Sequence, residues 1–241
     1  MKSALSDQDS CLLRASITMG NRVKLIIFDF DGTLVDSRSL ILESHRIVFS
    51  EFRLPVPSPA DSLALVGKTL DLILAQLAGS TAPIRDMVKA YDLLLPQLRA
   101  DPALAEKPFD GIADLLRELS SSPNIVLGLA TGHTSVTVAP ALAALQWSDF
   151  FRTIQATDTA PSKPHPAMLL QALEATGVKP ENALFIGDTT YDMEMAQAAR
   201  VPSMGVSWGY HKAERLAAAG AQRVASSVDE LRDQLQILLA D

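Results

Sequence analysis

The sequence predicts an α/β protein, a parallel sheet flanked by helices with a helical cap inserted after the first strand. Three observations carry that expectation. The run from Val23 to Phe28 is apolar except for Lys24, as a strand buried on both faces of a parallel sheet is. From Phe109 onward, segments of strand and of helix character alternate, the pattern of strand–helix–strand units with right-handed crossovers. Between Ser37 and Pro108 only helical periodicity occurs. Residues 22–36 and 108–241 are therefore expected to form the core and residues 37–107 the cap, with hinges near Asp36-Ser37 and Lys107-Pro108.

In chain order, Met1 to Asn21 reads as a mobile tail, and Met19 offers a second candidate start. After Ser37, Leu40, Ile41, Ile47, Val48 and Phe52 fall on one side of an amphipathic helix, which Pro55-Val56-Pro57-Ser58-Pro59 ends. Shorter helices are expected over Ala60–Val66, Leu70–Leu77 and Pro83–Leu98. In the second part, Asp110–Leu119 is a helix with Ile112, Leu115, Leu116 and Leu119 inward, and Asn124–Ala130 a buried strand. Val136–Leu145 is helical despite Pro140, Phe150–Ala156 is a short strand, and Pro164–Thr176 is a helix stopped by Gly177. Ala183–Ile186 is a strand, Tyr191–Arg200 a helix and Ser203–Ser207 a strand; two helices around a weak strand at Arg223–Ala225 complete the chain. No internal repeat occurs.

Composition narrows the partners. Of 241 residues, 48% are hydrophobic, ample for a core. Lys and Arg number 21 against 28 Asp and Glu, a net charge of −7, which disfavours nucleic acid or an anionic membrane as partner. An anionic ligand must then be held by local charge. Cys11 is the one cysteine, so no intrachain disulfide forms and a reducing cytoplasm is the expected compartment. No apolar run approaches the roughly 20 residues of a membrane span, and the first twenty residues lack the order of a signal peptide. The sequence sets no oligomeric state.

The first strand runs directly into Asp29-Phe30-Asp31-Gly32-Thr33. Two carboxylates at the end of a buried strand are costly unless a cation meets them, and a hard divalent ion such as Mg²⁺ suits oxygen donors. Asp-Gly alone is an ordinary turn pair; the other strand ends give it weight. Thr131 and Gly132 follow one strand, Asp188 follows another, and Lys163 lies in a loop just before a helix. In a parallel sheet these ends share one edge, where open α/β folds bind ligands. Acids, a hydroxyl beside a glycine and one ammonium suit a metal-bound phosphate. There Asp29 is the candidate nucleophile, since a carboxylate attacks phosphorus without losing a proton. Asp31 is the candidate acid and base. Taken singly, Asp188 and Asp192 also suit the first turn of a helix.

Asp29-Phe30-Asp31-Gly32-Thr33-Leu34-Val35-Asp36-Ser37 resembles the first motif of the haloacid dehalogenase superfamily, in its phosphoglycolate phosphatase-like branch with a helical cap. Ala130-Thr131-Gly132-His133, Ser162-Lys163-Pro164 and Gly187-Asp188-Thr189-Thr190-Tyr191-Asp192 match the later motifs in order, and the likeness spans Lys24 to Tyr210. The resemblance implies a Rossmann-like core and a phosphomonoester hydrolase that uses Mg²⁺ and a phosphoaspartate. It implies that Asp29 is the nucleophile and a metal ligand, and that Asp31 is the acid/base whose backbone carbonyl also binds the metal. Thr131 and Gly132 would bind phosphoryl oxygens, with Lys163 as the motif lysine. Asp188 would be a metal ligand, and Asp192 would lie near the metal or hold Lys163. A haloalkanoate dehalogenase has no need of a leaving-group acid at Asp31, so that residue favours phosphoester chemistry.

The expected partner is a small phosphorylated metabolite: phosphoglycolate, another ester, a sugar phosphate, a nucleotide or pyrophosphate. In the cap, Val66-Gly67-Lys68-Thr69-Leu70 is the loop expected to reach the site, with Lys68 either meeting a second anionic group or standing as an exposed lysine at a helix start. His133 is a candidate substrate contact; His45, His165 and His211 read as surface or packing histidines and Trp208 as packing. Alternatives of the same superfamily are a phosphomutase or a pyrophosphatase. A phosphate-storing signalling receiver fits less well, because of the helical insertion and the acceptor on the first strand.

Overall fold

A computed structural model describes residues 25–79 and 81–240. The expected tail, Cys11, Val23 and Lys24 lie outside the described residues. Strand β1 (Leu25–Phe28) leads into β2 (Val35–Asp36), which pairs antiparallel with β3 (Lys107–Pro108). Between those two short strands come α1 (Arg38–Glu51), α2 (Pro59–Leu63), α3 (Leu70–Ala78) and α4 (Ile84–Arg99). The alternating part then follows: α5 (Ile112–Ser120), β4 (Val126–Ala130), α6 (Ser135–Ala144), β5 (Phe151–Gln155), α7 (Ala167–Thr176) and β6 (Ala183–Gly187). It ends with α8 (Thr190–Ala199), β7 (Ser203–Val206), α9 (Ala213–Ala218), β8 (Arg223–Ala225) and α10 (Val228–Ala240).

Six strands form one parallel sheet in the order β5-β4-β1-β6-β7-β8. Both faces of β1 are covered, which explains its unbroken apolar run. Successive side chains alternate: Ile26 and Phe28 pack with Leu115, Leu116, Leu142 and Leu231, whereas Leu25 and Ile27 pack with Met168, Leu169, Met195 and Ala196. In register, Phe28 lies opposite Leu129 on β4 and Ile186 on β6. The residues that follow all three strands therefore emerge side by side.

The inserted helices bury a cluster of their own, Leu40, Val48, Phe49, Leu74, Met87, Tyr91 and Leu95. Several boundaries differ from expectation. The buried stripe of α1 is Leu40, Ser44, His45, Val48 and Phe49; Ile41, Ile47 and Phe52 sit half-buried at its flank. The α2 helix stops at Leu63, short of Val66. The helix expected from Pro164 begins at Ala167: Pro164 and Pro166 have no amide hydrogen, and the N–H of His165 donates back to the Ser162 carbonyl. The β2–β3 pair, two residues a side, is too short to leave a period in the sequence. Among the described residues, no helix is long and apolar enough to cross a membrane.

Candidate active site

Asp29 is the first residue past β1, and its N–H still donates to the Ile186 carbonyl at 2.9 Å. Asp188 follows β6 directly, and the Thr131 N–H, just past β4, donates to the Gln155 carbonyl at 3.0 Å. Backbone pairing thus carries all three residues to the sheet's carboxyl edge. Lys163 reaches the same point from the loop before α7. Its Nζ lies 2.6 Å from Asp29 Oδ1 and 2.8 Å from Asp192 Oδ1. Asp29, Thr131, Lys163, Asp188 and Asp192 are all almost completely buried.

Asp29, Asp188 and Asp192 each offer an oxygen, and these oxygens all lie within 4.8 Å of one another. Three carboxylates against one ammonium leave two negative charges in a buried space when all three are ionised. Burial, with repulsion from Asp192 and Asp31 only partly offset by Lys163, pushes Asp29 up to about 7. Burial first, then repulsion from Asp29 and Asp192, raises Asp188 well above the carboxylate range. Asp29 Oδ2 has no hydrogen-bond partner. An all-oxygen donor set with a surplus of two negative charges and an open carboxylate oxygen fits a hard divalent cation such as Mg²⁺.

The oxygens of Asp188 and Asp192 are held in different ways. Asp188 Oδ1 accepts from Thr33 Oγ1 at 3.1 Å and Oδ2 from the Tyr210 N–H at 2.7 Å. Asp192 Oδ2 accepts from the Thr189 N–H and hydroxyl at 2.9 and 2.7 Å, closing a capping box at the start of α8, while Oδ1 faces Lys163. Asp192 is thus both a helix-capping acid and the orienter of Lys163. Gly32, at φ +83°, turns the chain where an added Cβ would collide with Asp188.

Asp31 is not part of the carboxylate cluster. Its Oδ1 accepts from Ser37 Oγ and its Oδ2 lies 2.8 Å from His133 Nε2. Burial opposes charge on both groups, but the ion pair outweighs it, so Asp31 is held below its ordinary range and His133 above its own. Thr131 Oγ1 accepts from the His133 N–H at 3.2 Å. Gly132 lies directly under the cap loop: a Cβ on it would come within 2.7 Å of the Lys68 carbonyl oxygen.

The cap loop is fastened to the core by its backbone. The Thr69 N–H donates to Ser162 Oγ at 2.9 Å, and the Ala64 carbonyl accepts from Tyr191 Oη at 3.2 Å and lies 3.3 Å from His211 Nε2. His211 Nδ1 in turn accepts from the Thr190 N–H at 3.0 Å. The loop does reach the site, but the Lys68 ammonium turns to the rim, 4.5 Å from the centre of the Tyr191 ring and 3.2 Å from Gln76 Oε1. Thr33, Ser37 and Thr189 lie inside the quoted motifs without a role assigned to them there, and Tyr210 and His211 carry no sequence signal of their own. Trp208 packs as expected, 6.2 Å from Phe109 ring to ring, with Nε1 donating to the Thr33 carbonyl.

The model of the haloacid dehalogenase-like hydrolase family matches residues 26–206. A protein of Dickeya dadantii named "Probable phosphatase IndB" is 30% identical over 89% of this chain and 94% of its own. A phosphoglycolate phosphatase of Escherichia coli K12 is 29% identical over 87% of this chain and 91% of its own. The solved structure of a haloacid dehalogenase-like family hydrolase from Streptococcus pneumoniae, 29% identical, superposes at a TM-score of 0.75 over 90% of this chain and 97% of that one. On a family match that spans most of the sheet and relatives aligned over nearly their whole length, this chain belongs to the haloacid dehalogenase-like hydrolases, and it is a phosphatase.

Proposed function

We propose that this phosphatase hydrolyses a small phosphate monoester through a phosphoenzyme on Asp29, with the inserted helices over residues 37–107 serving as its cap. The observation that carries the reading is the Asp29 carboxylate, held on Oδ1 by Lys163 and open on Oδ2, at the centre of a buried cluster short of positive charge. Mg²⁺ would be held by Asp29 and Asp188, with Asp192 alongside and the backbone carbonyl of Asp31 as the resemblance implies. When bound, it supplies the positive charge that lets a phosphate approach a carboxylate.

The chain's own groups do the rest. Asp29 attacks phosphorus, the bond to the leaving oxygen breaks, and a proton from the Asp31–His133 pair goes to that oxygen. Asp31 then takes a proton from water, whose oxygen attacks phosphorus and breaks its bond to Asp29, releasing inorganic phosphate. Lys163, kept charged by Asp192 and Asp29 despite its burial, offsets charge on the phosphoryl oxygens. The Thr131 hydroxyl and the Gly132 N–H would receive those oxygens, as the resemblance implies, and the inserted helices would exclude bulk water. The phosphoglycolate phosphatase named above supports a small phosphate ester as substrate. Asp29→Asn is expected to leave a folded protein with no turnover of 4-nitrophenyl phosphate in Mg²⁺ buffer. Wild-type turnover by that variant rules out Asp29 as nucleophile.

A further inference from the structure

Between the cap and the core lies a cavity of about 490 Å³, and Asp31, Gly132 and His133 form part of its wall. It opens from the Asp31–His133 pair that would protonate the departing oxygen. Whatever leaves the phosphorus must occupy it. Resting on the phosphatase reading above, we propose that the leaving group is an uncharged, ring-sized apolar alcohol, so that this enzyme prefers arylalkyl or aryl phosphates to small carboxylate-bearing esters.

Size is the first argument. Ligand cavities of roughly 300–1,000 Å³ hold molecules of drug-like dimensions, and a two-carbon acid leaves most of such a space to water. The second is the chemistry of the cap wall, built from Ile41, Val66, Ile73 and Val88 with the Tyr91 ring. Burying apolar ligand surface there gains roughly 25 cal/mol per Å², whereas a carboxylate placed against the same side chains loses its water with nothing in return.

The third argument is charge. Among the described residues, the basic side chains on the wall are Lys68, His133 and His45. The Lys68 ammonium faces the Tyr191 ring and Gln76, and His133 is paired with Asp31. His45 is 2% exposed, packed with its ring centroid 6.2 Å from Phe49 and 6.1 Å from Tyr91, and burial pushes it down to about 4. It is therefore uncharged at pH 7 and offers no cationic partner to an anion. Its Nδ1 has no hydrogen-bond partner in the protein, which leaves one place on the cap wall for a neutral polar atom of the ligand. Asp71 and Asp92 at the rim add negative charge that repels a carboxylate.

The test compares kcat/KM of the full chain with Mg²⁺ for acetyl phosphate, phosphoglycolate and benzyl phosphate. Benzyl phosphate is expected to exceed phosphoglycolate by about tenfold or more, the discrimination that a few apolar contacts supply. Val88→Trp, at a half-buried position, is expected to lower the ratio of benzyl to acetyl phosphate activity by a similar factor. If acetyl phosphate is hydrolysed and phosphoglycolate equals or beats benzyl phosphate, the inference falls and the phosphatase reading stands. If none of the three phosphates is hydrolysed, both fall. Should Val88→Trp not fold, the wild-type comparison alone decides.

Discussion

Asp29 shows how one residue's surroundings set its chemistry. Its carboxyl is raised to about 7 because burial disfavours the charge more than Lys163 restores it. A folded acid that holds its proton above the unfolded value of 3.8 contributes stability that is present in acid and lost as pH rises through 7. The metal-free protein therefore carries a strained charge at pH 8 that it lacks at pH 5. Adding Mg²⁺ is expected to raise the melting temperature more at pH 8 than at pH 5, measured by thermal shift; equal shifts at the two values count against the cluster as the metal site. Asp31 has a different task, because His133 and Ser37 keep it apart from the cluster. Asp31→Asn is expected to slow turnover on the order of 10²–10⁴-fold. Since 4-nitrophenolate leaves without a proton, that variant should still release a burst of one equivalent in stopped flow before stalling as phosphoenzyme. Absence of a burst would place the loss in the first step instead.

At the scale of elements, the loop that joins α2 to α3 rests on the turn after β4. The backbone of Gly132 lies against those of Gly67 and Lys68, and there is no room for a methyl group between them. Gly132→Ala must move either the loop between α2 and α3 or the turn after β4 by a fraction of an ångström. A displacement of that kind near the reacting atoms costs on the order of 10²-fold in kcat/KM, while the two hydrophobic clusters of the sheet are untouched. The expected result is a large kinetic defect with a nearly unchanged melting temperature. Wild-type kinetics would show that the loop is not held closed during turnover. The buried stripe of α1 teaches a related point. Ser44 and His45 are buried in place of Ile41 and Ile47 because the helix faces α4 and the cavity together. The apolar period in the sequence locates the helix, but its rotation depends on what it packs against.

For the whole molecule, the inserted helices and the sheet bury separate hydrophobic clusters. The chain passes between them at the short β2–β3 pair, and hydrogen bonds cross the gap, as at Thr69–Ser162 and Arg99 Nη1 to the Thr137 carbonyl, 2.6 Å. Such an arrangement is expected to open as a unit. Leu74→Ala, in the centre of the inserted cluster, should cost about 2–5 kcal/mol. Hydrogen exchange should place that loss in amides of α1, α3 and α4, with β1, β4 and β6 still protected. Uniform loss across the sheet would mean that the two parts fold as one.

Strand and helix alternation, the helical insertion, and the ordered acids, threonine and lysine were all legible in the chain, because each rests on local periodicity or on motifs a few residues long. Lys163 is different: the motif names it and pairs it with Asp192 as one of two options, but only the sheet order that sets β1 beside β6 brings both Asp29 and Asp192 to meet its ammonium. The outward turn of Lys68, the pairing of His133 with Asp31 and the neutral His45 in an apolar wall likewise depend on contacts across long stretches of sequence. The residues alone thus determined which reaction this protein is equipped for. What the leaving group meets was decided by tertiary packing, since charge and burial belong to neighbours in space and not to neighbours in the chain.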